Sequence, residues 1–486
     1  MSAGEAPKLT DADLLVAIGE KEAKLSQWQS RGYATVATAK GRRTFQVSGP
    51  GLATWLRLRF RDQYHRTPSA SAVKAATTAL ADLASIADEV PVWLRTALHD
   101  GKIYIDLGDE SGCAISIDEK DWHLVISPPV HFIRSNLSLP LPRPRGNGDI
   151  DVIRDLLNLP DDASYQLLIT WCIAALMPTG PYPLLAIGGE QGSGKTFLAG
   201  MLHDLVDPSR LPLRALPRSE RDLYIACANT HLLVYDNIST MGDWLSDAFC
   251  KVASGGGMAL RQIFTDDGEV YFRAVKPIVL NAIEDVVTRP DLADRAIVLN
   301  LPAIPDHKRI DPATLAARFE ACRSEMFGAL LNLMSFALAM LPTLSPERLP
   351  RMAGFGRLGI AIEGCFGDPG CFMAAYDANR ALSSAILADS DPVVSAIAKL
   401  TQNHPHWQGT ATDLAKALET RMGPDKRIDP AALAGRLRRL APVLRANAIT
   451  IEFEREGKDR TRIIAITSEY NERDNSVRTV RRVRRG

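Results

Sequence analysis

Apolar residues recur at helical spacing from Leu14 to Trp28 and from Leu52 to Tyr64, and Ser69 or Ser71 can cap a third such run reaching about Ala87. The first hundred residues are therefore expected to be mostly helical. The period then changes to two. Lys102–Leu107, Ala114–Ile117, Trp122–Ile126 and Val130–Ile133 alternate between the turn sequences GDESG, DEKD and SPP, which predicts a small antiparallel meander. The segment PLPRPRGNG, residues 140–148, is stiff in its proline half and loose in its glycine half, and it marks the main domain boundary. Ile150–Leu157 and Ala163–Met177 follow as helices. Strands and helices alternate from Leu184 to Leu301, the order of an α/β core with a parallel sheet. Residues 311–388 are helical again. The last region reads as helices Val393–Gln402, Ala411–Arg421 and Pro430–Leu440, then strands Ala448–Phe453 and Arg462–Thr467, an order that suggests a winged helix.

The expected division is thus 1–139, an N-terminal helical and β-meander domain; 140–149, a linker; 150–303, the α/β core; 304–389, a helical connector; 390–470, the winged helix; and 471–486, a basic tail. Charge narrows the picture. Lys and Arg together number 57, matched by 57 Asp and Glu, so any nucleic-acid contact must come from local patches. The seven cysteines, at 113, 172, 227, 250, 322, 365 and 371, form no CxxC pair and no zinc spacing, which predicts a chain of the reducing cytoplasm. His65, His123 and His131 match no metal spacing, and Asp106, Asp109 and Glu110 lack the partner carboxylate that a primase-type metal site needs. The best apolar run, Leu167–Met177, falls short of the roughly 18 residues of a membrane span and reads as a core helix.

The chemistry concentrates in residues 189–196, GEQGSGKT. An apolar strand, Leu184–Ile187, precedes them and a helix opens at Lys195. Gly189, Gly192, Ser193 and Gly194 can turn backbone N–H groups onto phosphates, Lys195 can reach the β- and γ-phosphates, and Thr196 can ligate Mg²⁺. These residues predict ATP and Mg²⁺ as ligands. Further on, the apolar strand His231–Tyr235 ends in Asp236 and Asn237. An acidic residue there is the usual second holder of the metal. The next position usually carries a glutamate that polarises the attacking water; Asn237 can orient a water but cannot take its proton. Asn281, at the end of the strand Pro277–Leu280, can bond the attacking water and the γ-phosphate. Arg295 in RPDLADRAIVLNL is the expected arginine finger, supplied to the next subunit, with Arg289 as second candidate.

Between the acidic strand and the Asn281 strand, Arg261–Phe264 and Val270–Arg273 alternate around TDDGE, a hairpin signal. This order of elements resembles an AAA+ ATPase of the pre-sensor-1 hairpin clade, which includes superfamily 3 viral helicases and minichromosome maintenance helicases. The stretches GKIYIDLGDESG, PPVHFIR, RDLYIACANTHLLVYDNIS, RQIFTDDGEVYF, RPDLADRAIVLNLP, RMAGFGRLGIAIEGCFG and FMAAYDANR resemble an ATPase family of phages, plasmids and other bacterial mobile elements, often joined to primase-polymerase modules. The resemblance covers residues from about 100 to 380. It implies a replicative helicase that forms a hexameric ring on single-stranded or forked DNA, with a primase-polymerase as a further partner. It also implies pore hairpins on the DNA backbone, making Arg261, Arg273 and Lys276 candidate contacts. Arg436, Arg438 and Arg439 on the third helix of the expected winged helix, and Arg455, Lys458 and Arg460 in its wing, are further candidates. The competing expectation is an ATPase switch, an initiator, loader or transposition regulator, that assembles on DNA without processive unwinding.

Overall fold

The computed structural model describes residues 9–38, 41–261, 269–282, 287–422, 427–456 and 461–468. It opens with helix α1 (Asp11–Glu22), strands β1 (Ala23–Trp28), β2 (Arg31–Thr38) and β3 (Gly41–Gln46), and helices α2 (Pro50–Tyr64) and α3 (Ala70–Ser85). Thr10 starts α1 in a reciprocal capping box with Asp13, and Ser69 caps α3. The expected helix from Leu14 to Trp28 is corrected here. It stops at Glu22, because Ala23–Trp28 pairs antiparallel with β2 across a tight turn in which Gln29 and Ser30 both take positive φ, 48° and 60°. The helices cover this three-stranded sheet, and Leu15, Val36, Leu52, Phe60 and Leu80 share one buried cluster.

The meander is present, as β4 (Val92–Trp93), β5 (Thr96–His99), β6 (Lys102–Asp106), β7 (Cys113–Ile117), β8 (Trp122–Ile126) and β9 (His131–Phe132). Strands β5 to β8 form an antiparallel sheet in chain order, while β9 pairs in parallel with β4 and stands apart from it. The following proline-rich segment is no free tether. Arg145 donates its backbone N–H to Ser324 and pairs through its guanidinium with Glu325. A Cβ at Gly148 would stand 1.9 Å from the Glu325 carbonyl oxygen, so only glycine allows this approach.

A 3₁₀ turn at Ile150–Leu156, in place of the expected α-helix, leads to α4 (Asp162–Leu176), β10 (Leu184–Gly189), α5 (Lys195–Val206), α6 (Glu220–Asn229), β11 (Leu233–Ile238), α7 (Asp243–Ser254), β12 (Gly257–Arg261), β13 (Glu269–Arg273), β14 (Ile278–Ala282), α8 (Pro290–Ala293) and β15 (Ala296–Leu301). The central sheet is parallel, in the order β11-β14-β10-β15. Its strands are near-continuous apolar runs because helices cover both faces. Strands β12 and β13 make a separate antiparallel ladder in which Arg261 pairs with Glu269 and Arg273 with Gly257. The predicted turn, from Thr265, and Gln262–Phe264 lie almost wholly outside the described residues.

Helices α9 (Pro312–Met340), α10 (Ala353–Ile362) and α11 (Cys371–Ser390) complete the main core, and α9 packs on α4, α10 and the 3₁₀ turn. By length and composition α9 could cross a bilayer; half of its most apolar window is buried inside this fold, as in a core helix. Asn379 of α11 clips the sheet edge, accepting the Val298 N–H at 3.0 Å and donating to the Val298 carbonyl at 2.6 Å. The chain ends in α12 (Pro392–Asn403), β16 (His406–Gly409), α13 (Ala411–Met422), α14 (Pro430–Ala446), β17 (Ile449–Glu456) and β18 (Thr461–Ser468), with a sheet of order β16-β18-β17. Strand β16 adds to the expected helix and strand order. Lys458, Arg460 and the tail lie outside the described residues.

Candidate nucleotide site

The loop between β10 and α5 depends on glycine. Gly189, Gly192 and Gly194 all have positive φ, and a Cβ at Gly189 would meet the Leu301 carbonyl oxygen of β15 at 2.4 Å. Lys195, the first residue of α5, folds its ammonium back on the loop and donates to the carbonyls of Gly189 at 2.6 Å and Glu190 at 2.8 Å. Burial lowers its pKa from the ordinary lysine value, and the charge of Asp236 acts in the opposite direction. Ser193 is fully buried, and its hydroxyl has no partner among the described residues.

Parallel pairing aligns the ends of the neighbouring strands with this loop, and three predicted residues meet there. Asn281, at the end of β14, donates through Nδ2 to Thr196 Oγ1 at 3.3 Å and to the Asp236 carboxylate at the end of β11. It is 2% exposed, and its Oδ1 has no partner among the described residues. Asn237 is exposed and has φ of 56°, within a register shift between Tyr235 and Ile238. Asparagine is among the few side chains that tolerate this left-handed conformation.

These residues border an open cavity of about 1460 Å³. Its other walls come from segments that carried no motif. Leu156, Leu157, Ile304, Pro305 and Leu315 supply them. Asn158 ties them to the loop, donating to the Ser193 carbonyl at 3.0 Å and the Pro302 carbonyl at 2.6 Å. Lys308 and Arg309 bring further positive charge to the rim. Their sequence, PDHKRIDP, looks like any polar loop, and only the fold places it here.

The two arginines expected as fingers do not line the cavity of their own chain. Arg289 pairs with Asp243 at 3.4 Å and Asp247 at 2.9 Å, and Arg295 donates to the Asp291 carbonyl at 2.8 Å. The neighbouring Asp294 is held by Arg380 and Arg351, which fixes this segment to α11 and to the turn before α10.

Among the expected DNA contacts, Lys276 is corrected. It is half-buried, burial lowers its pKa, and the buried Asp207 carboxylate acts in the opposite direction, so its ammonium is poorly placed for an external phosphate. Arg436 pairs with Asp391 at 3.0 Å, and the Arg438 guanidinium lies over the Phe453 ring at 4.6 Å. Arg439 lies on α14. The carboxylates of the meander are neutralised locally: Asp106 accepts from Arg134 at 2.6 and 2.7 Å, and Asp109 pairs with Arg143.

Residues 150–384 match the family model of the actinomycete integrative conjugative element replication protein, and residues 393–478 match the model of the C-terminal domain of the same RepA family. Between them they span the α/β core, the helical connector and most of the C-terminal region, so the chain is a replication protein of a mobile element. It belongs to the RepA replication proteins of actinomycete integrative conjugative elements. No curated protein matches the chain. Similar solved structures include the SCCmec type IV Cch active helicase, at 11% identity over 91% of this chain and 93% of that one, with a TM-score of 0.48. The apo NrS-1 C-terminal region is also 11% identical, over 96% and 100%, with a TM-score of 0.42. The JCV helicase matches 46% of this chain and 66% of its own at 14% identity, with a TM-score of 0.24.

Proposed function

We propose that this replication protein is an ATP-dependent DNA helicase or translocase with an AAA+ core, working as a hexameric ring during replication of its element. One observation carries the reading: Lys195, Thr196, Asp236 and Asn281 converge behind a glycine-rich loop at the mouth of a large cavity. A triphosphate fits this donor set. The loop N–H groups and the start of α5 offer partial positive charge. Among the described residues Lys195 has carbonyls of its own loop to leave, and the Ser193 hydroxyl and Asn281 Oδ1, without partners there, have bonding capacity to give.

Thr196 and Asp236 would hold Mg²⁺, which when bound neutralises phosphate charge. Asn281 positions both of those residues and can orient the attacking water. Asn237 can hold that water but cannot deprotonate it. Arg295, lying away from its own cavity, would stabilise the transferring phosphoryl group of the neighbouring subunit. Arg261 and Arg273 of the β12–β13 hairpin would bind the DNA backbone in the ring's pore. The region 390–470 would be a winged helix, with Arg438 and Arg439 the better DNA candidates of α14, since Arg436 is held by Asp391.

Lys195→Ala is expected to abolish ATP hydrolysis and the unwinding of a forked DNA substrate; full activity in that variant would sink the site. Arg295→Ala should stop hydrolysis while retaining nucleotide, and mixing it with Lys195→Ala should restore activity if the finger acts in trans. A second reading, an ATPase switch without processive unwinding, is favoured by Asn237. A hexamer that hydrolyses ATP but opens no fork would establish it over the first.

A further inference from the structure

The cavity holds a cationic group that the mechanism above does not use. Arg309 follows β15 in the loop leading to α9, and its Nη2 would stand 3.6 Å from a Cβ placed on Gly192. The guanidinium therefore lies against the outer turn of the glycine-rich loop. Its ion-pair partner is Asp306, at 3.2 Å from Nη1. Both side chains are open to water, Arg309 at 57% and Asp306 at 93%. Such an exposed pair holds its members weakly. A phosphate offers the same guanidinium more charge and a bidentate acceptor.

We propose that Arg309 binds the nucleotide in cis: its guanidinium exchanges Asp306 for the phosphate chain held by residues 189–196 of its own subunit. The inference rests on the nucleotide reading of that loop. It differs from the finger role of Arg295, which would act on the neighbouring subunit. Asp306 is then a competitor for the guanidinium, and removing it has an effect opposite in sign to removing Arg309.

Equilibrium binding of fluorescent ATP and ADP analogues to the full chain tests this. Arg309→Ala should weaken both by about tenfold or more, the loss of one charge-assisted contact. Arg309→Lys should recover part of that loss, since it restores charge without the fork. Asp306→Ala should tighten binding severalfold, which a merely structural role for Arg309 would not produce. The unfolding midpoint without nucleotide should be the same in all three variants as in the parent chain. Unchanged affinity in both Arg309→Ala and Asp306→Ala, with the parent binding normally, overturns the role of Arg309 and leaves the loop's role intact. A parent chain that binds neither analogue overturns the nucleotide reading itself.

Discussion

At the scale of single residues, two positions tie the site to the chemistry of their surroundings. Asn237 holds a left-handed backbone, where a β-branched side chain clashes with its own carbonyl. Asn237→Val should lower stability by about 1–2 kcal/mol in urea unfolding, and Asn237→Gly should cost far less. Equal losses would show that the conformation does not constrain the residue. His231, at the entry to β11, is fully buried and neutral, with Nε2 donating to the Ala175 carbonyl at 2.7 Å. Burial lowers its pKa to about 4, with Lys276 acting in the same direction. The unfolded chain, with histidine near 6.5, binds this proton more readily than the folded one. The stability it contributes is therefore complete above pH 6.5 and falls away as the pH drops towards 4, by on the order of 3 kcal/mol across that window. His231→Gln should remove this part of the pH dependence, measured as urea midpoints at pH 7 and pH 5; an unchanged slope would reject it.

At the scale of elements, the hairpin β12–β13 carries the DNA prediction. Its register sets Arg261 and Arg273 at opposite ends of one ladder, at positions of the same parity. Each arginine that meets a phosphate should contribute roughly 0.7 to the log–log salt slope of single-strand binding. The double Arg261→Ala and Arg273→Ala variant should thus bind single strands more weakly and with a shallower slope, and an unaltered slope would remove the hairpin from the interface. Legibility varied among elements for a physical reason. The glycine-rich loop, Asp236 and Asn281 were readable because each stands at the end of an apolar strand and each signal is local. Strand β1 was not, since Ala23–Trp28 continues the helical spacing of α1, and its turn uses Gln29 and Ser30 in place of a glycine. The cavity walls at Leu156, Asn158, Ile304 and Arg309 were equally silent: their meaning comes from contacts with residues far along the chain.

At the scale of the whole molecule, one buried ion pair joins the meander to the α/β core. Arg95 precedes β5 in a stretch with no sequence signal, yet it is 2% exposed. Its Nε donates to Asp207 at 2.8 Å, and its other nitrogens donate to the carbonyls of Asp106 and Leu139 at 3.1 and 3.0 Å. Asp207 directly follows α5, and its second oxygen accepts the N–H groups of His231 at 2.7 Å and Leu232 at 3.2 Å. Burial alone would raise the Asp207 pKa, but Arg95 and these N–H groups outweigh it and keep the carboxyl low. A single carboxylate thus links the far end of the Lys195 helix, the entry to the Asp236 strand and the meander. Removing one member of such a pair leaves the other charge buried and unpaired, at a cost of about 3–5 kcal/mol. Arg95→Ala should therefore destabilise the chain by about that much, and it should split a single urea transition into separate steps for the meander and the core. Asp207→Asn keeps an acceptor for the two N–H groups but leaves the buried Arg95 without its counter-charge, so it should cost a comparable amount, and it serves if Arg95→Ala does not fold. A loss below about 1 kcal/mol in Arg95→Ala, with one transition preserved, would mean that the meander is held by its apolar contacts alone.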